Sequence, residues 1–409
     1  MKKLVVLVAG LLSVPLFAQA EETQNTKENT FSMKVQIRPR AEYRNGVLFP
    51  RPKDAESTGF INNRARFSLG YERDRLSIGL SAQHVGVWGQ DPQIDKNGRF
   101  ILNEAWAKLD FGSGFFAKLG RQSLVYDDER IMGALDWNVA GRYHDALKLG
   151  YENTNNQLHL ILAFNQNDEK TIGGTYYAPG AQPYKTMQTL WYKHLFDKSF
   201  NASFLFMNLG MEGGDAEKQN SDTKYLQTLG TNLIYTPSHW MVGGTFYYQF
   251  GKTKSGRDVS AFLWAVNAAY QIDPQWKIGV GSDYLSGSDG ADGKYKAFDP
   301  LYGTHHKFYG AMDYFYASSF VNGLNPGLWD NQVNVAYKPS SKVNLSLAYH
   351  YFSITGDVYE GNDKLSKGLG SELDFQVDWV IMKDVKLSAG YSTMLGTNTM
   401  KVVKGGNPS

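Results

Sequence analysis

Five arginines occupy alternating positions in two segments near the start of the chain. They are Arg38, Arg40, Arg44, Arg64 and Arg66. A guanidinium group is planar and always charged, and it fits a carboxylate with two parallel hydrogen bonds. Two interpretations follow, and both stay open. The arginines form ion pairs with Glu42, Glu72 and Glu104 that hold the fold together, or they form a selectivity surface for an anionic solute.

The segments that carry these arginines alternate between apolar and polar residues. From Met33 to Arg44, every second residue is largely apolar and the residues between them are polar. The same division recurs from Ile61 to Glu72. Period two is the pattern of a β-strand, because successive side chains point to opposite faces. In a membrane barrel the apolar row faces lipid, so the pattern predicts that the arginines line the interior.

The connections between the predicted strands alternate in length. Short ones, such as Glu72–Arg75 and Asp273–Gln275, are separated by long polar ones, such as Leu124–Gly141 and Ser286–Gly327. This arrangement predicts an all-β fold, a transmembrane antiparallel β-barrel with short periplasmic turns and long extracellular loops. About 17 strands are visible, and 18 are expected because single-chain barrels normally have an even number. Two interpretations stay open, a strand missed inside Ser286–Gly327 or a chain that lacks its closing strand, and we favour the second. A soluble β-sandwich does not explain the one-sided loops.

The first twenty residues have the pattern of a secretory signal. Lys2 and Lys3 precede an apolar run from Leu4 to Val14, and Ala18-Gln19-Ala20 offers a cleavage site. We predict a signal peptide over residues 1–20 and a barrel over residues 21–409. The predicted location is the outer membrane, reached through the periplasm.

Composition narrows the classes of partner. The chain has no cysteine, so disulfides and thiolate metal sites are excluded. The net charge of +2 gives no indication of nucleic acid binding. Aromatic residues make up 14% of the chain, which suits the aromatic girdles of a membrane barrel. The expected partners are an anionic sugar or polysaccharide and outer-membrane lipid. No periplasmic partner is indicated.

Two blocks of the sequence resemble the alginate-export family of outer-membrane barrels. The first runs from Gly120 to Leu147 and contains Gly-Arg-Gln, Asp-Glu-Arg, Asp-Trp, and an Arg followed by Asp-Ala-Leu, in that order. The second runs from Leu285 to Asp313 and contains Phe-Asp-Pro-Leu-Tyr-Gly. With the arginine-rich segments, the resemblance covers most of the predicted mature chain. It implies an eighteen-stranded barrel whose basic constriction passes an acidic polysaccharide. Composition and spacing alone do not show this.

Further candidate lumen residues lie in and around the first block. They are Glu104, Lys118, Gln122, Arg130 and Arg142. Alternation places Lys118 and Gln122 on the inward face, whereas Arg121 and Asp145 fall on the outward face or at loop level.

No enzyme, cofactor or metal site is predicted. His305 and His306 are adjacent in sequence, and no third ligand accompanies them. The first functional hypothesis is a channel for anionic sugars or polysaccharide. The alternatives are a general diffusion porin with structural arginines, and a plugged receptor or adhesin that displays Ser286–Gly327 outside the cell.

Overall fold

The computed structural model describes residues 9–13, 29–90, 100–166, 169, 183–215, 220–289 and 293–406. Among these residues, no helix has both the length and the apolar content to cross a membrane. Two single-turn 3-10 helices lie at His305–Lys307 and Val321–Gly323, and one α-helix, α1, at Asn398–Lys404. The strands are β1 (Ala9–Ser13), β2 (Asn29–Arg44), β3 (Thr58–Arg73), β4 (Leu76–Val87), β5 (Phe100–Gly112), β6 (Phe115–Gln122), β7 (His144–Glu152), β8 (Asn156–Phe164), β9 (Thr186–Leu195), β10 (Phe200–Glu212), β11 (Thr223–Tyr235), β12 (Trp240–Lys252), β13 (Asp258–Gln271), β14 (Trp276–Leu285), β15 (Leu328–Ser340), β16 (Val343–Ser353), β17 (Tyr359–Glu360), β18 (Asp363–Lys364), β19 (Gly368–Met382) and β20 (Val385–Gly396).

The long strands form one antiparallel barrel sheet of 18 members. Strands β2 to β16 pair in chain order, and β16 continues through β19 to β20. The seam between β2 and β20 holds β1, which is antiparallel to both. The sequence analysis placed no strand at this seam. A strand there supplies hydrogen-bond partners to two edges that lipid could not satisfy. Residues 1–8 and 14–20 lie outside the described residues, so cleavage of the signal peptide stays a prediction.

The two faces of the sheet differ in the way that alternation predicted. Partners in register share a face, so Arg38 opposite Arg64 and Gln36 opposite Arg66 all point the same way, to the inside. The apolar residues that alternate with them are exposed on the outer face, where they form a band suited to lipid. Members of this band include Ile37, Phe67, Leu80, Leu109, Leu160, Phe204, Phe246, Val280, Val333, Leu347 and Phe375.

The strands are joined at one end by short turns. The short turns predicted at Glu72–Arg75 and Asp273–Gln275 are confirmed, and another lies at Ser113–Gly114. Gly114 has φ +86°, and a β-carbon there would lie 2.2 Å from the carbonyl oxygen of Glu152. Only glycine fits that position. At the other end the sequence also predicts a long loop from Leu209 to Lys224, and this loop is shorter because β10 extends to Glu212 and β11 begins at Thr223.

Two of the long loops fold into the barrel instead of extending away from it. We call residues 123–143 the first inward loop and residues 286–327, of which 290–292 are not described, the second inward loop. Both carry apolar side chains that are fully buried, among them Ile131 and Met132 in the first loop and Phe315 in the second. These side chains pack with inward-facing residues such as Met207 and Leu263 in one hydrophobic cluster. Burial of these apolar side chains is the physical reason why the loops lie inside.

The sequence predicts a polar and flexible chain end from Lys401 to Ser409, and this is wrong for residues 401–404, which belong to α1. The helix begins at Asn398, and the side chain of the preceding Thr397 accepts a hydrogen bond from the Met400 amide. Met400 and Val403 are fully buried. Lys404 is buried too, and its Nζ donates to the Ser318 hydroxyl at 2.6 Å in the second inward loop. The helix therefore docks on that loop.

The docking of α1 should depend on pH through Lys404. Burial lowers the pKa of Lys404 from 10.5 to about 7. Between these values the undocked segment binds more protons, so docking should strengthen as the pH rises from about 7 to about 10 and stay constant below that window. The test compares the rate of trypsin cleavage after the exposed Lys401 with the rate for a free peptide of the same sequence. The ratio of the two rates should fall as the pH rises from about 7 to about 10. Lys404→Met should abolish the trend. A rate ratio independent of pH in the unaltered chain would contradict this.

Candidate functional site: an arginine cluster and two inward loops

Three arginines of the barrel wall hold one carboxylate of the first inward loop. We call Arg38, Arg64 and Arg66 the arginine cluster. Arg64 donates from Nη1 to Asp136 Oδ1 at 2.8 Å and from Nη2 to Oδ2 at 3.1 Å, which is a bidentate pair. Arg66 Nη1 lies 3.4 Å from Oδ1, and Arg38 Nη1 lies 3.5 Å from Oδ2. The register of β2 and β3 brings the three side chains together.

The charges in this contact are unequal. Burial alone would raise the pKa of Asp136, but the hydrogen bond from Arg64 and the charges of the cluster outweigh it, so the pKa lies below its ordinary value. Asp136 is therefore ionised at neutral pH. The side chain of Arg64 is 0% exposed and that of Asp136 is 55% exposed. Three guanidiniums and one carboxylate leave a net positive charge beside open space.

The wall also binds the main chain of the first inward loop. Four carbonyls of residues 136–140 accept hydrogen bonds from wall side chains. Arg38 donates to the carbonyls of Asp136 and Asn138 at 2.6 and 3.0 Å. Arg40 donates to the carbonyl of Trp137 at 2.8 Å. Gln83 donates to the carbonyl of Ala140 at 2.7 Å. Inward side chains thus satisfy carbonyls that no strand partner reaches.

An aromatic stack joins this contact to the second inward loop. The guanidinium carbon of Arg40 lies 4.1 Å from the centre of the Trp137 ring, and His306 stacks on Trp137 at 3.6 Å. Both groups are therefore in contact with the Trp137 ring. His306 Nδ1 is hydrogen-bonded to Asp313, 2.9 Å from Oδ2. The stack therefore fixes Trp137 between the wall and the second loop.

Two cavities meet at the stack. One, on the long-loop side, has a volume of about 690 Å³, and the other, in the middle of the barrel, about 300 Å³. Both are lined by Arg40, Arg44, Val47, Trp137 and His306. The stack stands at their boundary, so movement of Trp137 would join them.

The two inward loops hold each other inside the barrel. Main-chain hydrogen bonds pair residues 131–133 with Tyr302, and Thr304 donates to Glu129 at 2.7 Å. Residues 302–313 are therefore enclosed in the barrel. This position differs from the one in the receptor hypothesis, in which Ser286–Gly327 is displayed outside the cell.

A buried ion pair anchors the first inward loop to the opposite wall. Arg130 donates to both oxygens of Asp283 on β14, at 2.6 and 3.0 Å, and also pairs with Asp128 at 2.8 Å. The side chains of Arg130 and Asp283 are only 3% and 1% exposed. The charges of the two aspartates raise the pKa of Arg130 despite its burial, so this group is always charged.

Loss of this anchor should destabilise the barrel. We expect Asp283→Asn to lower the free energy of unfolding by about 3 kcal/mol, because a buried guanidinium loses one of its two carboxylate partners. Urea unfolding at pH 8 measures the change. The matched control is Asp258→Asn, which breaks an exposed pair with Lys252 and should have little effect. Equal effects of the two substitutions would contradict the anchor.

A family model described as alginate export matches residues 32–402. The chain belongs to the alginate export family. The match spans both inward loops and all strands from β3 to β20, so it includes every residue of the site just described. A sequence search among curated proteins finds no match.

Solved structures agree with the family in fold. OccAB4 of Acinetobacter baumannii superposes with a TM-score of 0.55 at 10% identity, covering 96% of this chain and 99% of that one. OpdQ of Pseudomonas aeruginosa gives 0.52 at 13% identity, covering 95% and 98%. At such identities the likeness shows the fold alone. Family and fold together make this alginate export family member an outer-membrane β-barrel channel, as predicted.

The remaining predicted residues of this family member have separate positions. Arg142 donates to the Gly303 carbonyl at 2.8 Å and lines the larger cavity. Glu104 accepts from the Ser123 amide at 3.1 Å and forms no arginine pair among the described residues. Gln122 is fully buried and donates to the main chain of Ala146.

Two predicted positions lie away from the arginine cluster. Lys118 lies with its Nζ 3.7 Å from the centre of the Trp106 ring. Arg121 pairs with Asp145 at 2.8 Å, and the two residues lie opposite each other in register. Of the acids predicted to pair with the arginines, Glu42 does so, with Arg40 and Arg44.

The sequence analysis did not identify Asp136, Trp137 or His306 as partners of the arginines. All three lie in the two blocks that resemble the family, and this is the one signal that could have indicated them. The Nδ1 atoms of His306 and His305 are hydrogen-bonded to Asp313 and to the Tyr316 carbonyl. In the described part of the chain, no group of three or more acidic or histidine ligands could hold a metal ion.

Proposed function

We propose that this channel passes anionic sugars or an acidic polysaccharide, and that the arginine cluster, with Arg40, Arg44, and Arg142, selects the anion. One observation carries the proposal. The cluster already binds a carboxylate, that of Asp136, from a segment that is not part of the wall. A uronate residue presents the same group to the same three guanidiniums.

The geometry suits passage better than tight binding. Arg64 makes the bidentate contact, while Arg66 and Arg38 make longer contacts of 3.4 and 3.5 Å. A carboxylate can therefore move from one guanidinium to the next while it keeps part of its hydrogen bonding. We infer that the solute takes the position of Asp136, and that the first inward loop must move for it to do so. Export from the periplasm is the direction that the family description suggests.

Current measurements on single channels in planar bilayers test the proposal. In a potassium chloride gradient the reversal potential should indicate a preference for anions. Galacturonate should reduce the current, whereas the neutral sugar galactose at the same concentration should not. A preference for cations, or equal reduction by both sugars, would reject an anion-selecting site.

A general diffusion porin is the second candidate. The ion pairs of Glu42 with Arg40 at 2.6 Å and with Arg44 at 2.7 Å favour it, because such pairs can serve the fold alone. If the arginines are structural, Arg40→Gln with Arg66→Gln should lower thermal stability and leave the reversal potential unchanged. The opposite result supports selection of anions.

We also propose that residues 1–20 are removed as a signal peptide. Strand β1 lies within that segment, so the backbone groups of β2 and β20 that pair with it need another partner in the cleaved chain. Mass spectrometry of protein from outer membranes should give Glu21 as the first residue. A chain that still begins at Met1 would show that the segment containing β1 is retained.

A further inference from the structure

Three lysines stand side by side on the inner face of the barrel, apart from the arginine cluster. Lys108 on β5 lies directly opposite Lys118 on β6, which lies directly opposite Lys148 on β7. We call them the lysine row. They lie four or five residues from the nearest short turn, whereas Arg66 and Arg64 lie eight and ten residues from the turn at Asp74.

This placement is unfavourable for the fold by itself. Like charges directly opposite each other on adjacent strands repel. Among the residues that the structure describes, no carboxylate forms a salt bridge with any of the three lysines. The two nearby glutamates have other partners, since Glu104 accepts from the Ser123 amide and Glu152 pairs with His159 at 2.8 Å.

Aromatic rings support the lysine row. Lys118 Nζ lies 3.7 Å from the centre of the Trp106 ring, and Lys108 and Lys148 lie 4.2 and 5.7 Å from that of Phe116. Contact with a ring face stabilises an ammonium group without neutralising its charge. The three side chains are only half-buried, so an added anion can still reach them.

Two other lysines on the inner side do have carboxylate partners. Lys386 lies 3.0 Å from Asp378, and Lys185 lies 3.0 Å from Glu212. The lysine row differs from these two lysines, because its three adjacent ammonium groups have no carboxylate partner. A ligand that carries several negative charges would relieve the repulsion between them.

We propose that the lysine row is an anion-binding site that receives the carboxylates of a sugar-acid chain on the short-turn side of the arginine cluster. The identity of the ligand rests on the proposed function, whereas anion binding as such does not. In the arrangement described here Asp136 occupies the arginine cluster, whereas the lysine row holds no carboxylate and is open to an added anion.

Calorimetric titration of the full chain in detergent with trigalacturonate tests this. The variant Lys108→Gln/Lys118→Gln/Lys148→Gln should bind at least about tenfold more weakly, because the local concentration of the anion falls. The charge-retaining variant with arginine at all three positions should keep its affinity. The matched control is Lys193→Gln/Lys277→Gln/Lys338→Gln, which removes three charges from other strands and should bind like the unaltered chain.

Stability gives a second and independent readout. Because the glutamine variant removes like-charge repulsion, its urea midpoint should rise. A lower midpoint with unchanged trigalacturonate affinity would make the lysines structural and overturn the proposal, and so would equal weakening in the control variant. Failure of the proposed function is a different result. A channel that prefers cations would reject the anion-selecting arginines while leaving the titration outcome as it stands.

Discussion

Asp136→Asn should raise the single-channel conductance several-fold and increase the preference for anions. The substitution removes the negative charge that the arginine cluster holds, and it keeps the size of the side chain. An amide has one acceptor oxygen and no negative charge, so it cannot hold three guanidiniums as the carboxylate does, and the first inward loop loses its strongest contact with β2 and β3. The freed guanidiniums then face the passage without a counter-charge.

A matched control separates this effect from general loss of an ion pair. Asp145 also accepts two bonds from an arginine, Arg121, at 2.8 and 2.9 Å, but this pair lies away from the cluster. Asp145→Asn should leave conductance and selectivity unchanged. If Asp136→Asn conducts like the unaltered channel, the Asp136 contact does not close the passage.

The second large effect should come from the arginines themselves. In the Asp136→Asn channel, replacement of Arg38, Arg64 and Arg66 by glutamine should lower the ratio of chloride to potassium permeability by about tenfold, because three fixed charges no longer concentrate the anion. Glutamine keeps hydrogen-bond donors at the wall, so the loss reports on charge. Reversal potentials in a salt gradient measure the ratio.

The control for this prediction removes arginines that lie off the inner wall. Replacement of Arg73, Arg75 and Arg121 by glutamine removes the same number of charges near strand ends and should change the ratio little. Similar shifts in both variants would mean that total charge, and not the position of the cluster, sets the selectivity.

The strands and turns could be predicted because they depend on local sequence. A side-chain period of two makes the apolar row of Ile37 and the polar row of Arg38 visible within one segment. The turns at Asp74 and Gly114 are visible because their residue types permit the required backbone. Family resemblance supplied the expected number of strands.

The contacts that complete the site could not be predicted in this way. Arg64 and Asp136 are 72 positions apart, and no local pattern indicates that the first inward loop turns inward. The inward position of this loop depends on apolar residues such as Ile131 and Met132, which become buried only when the barrel has formed around them. The position of α1 depends likewise on a loop that is remote in sequence.

The most direct test of the central claim is the crystal structure of the Asp136→Asn variant with galacturonate. If the arginine cluster is the anion-selecting site, the sugar carboxylate should lie within hydrogen-bond distance of Arg64, where the Asp136 carboxylate lies now. An empty cluster at saturating galacturonate, or galactose bound there equally well, would contradict the account.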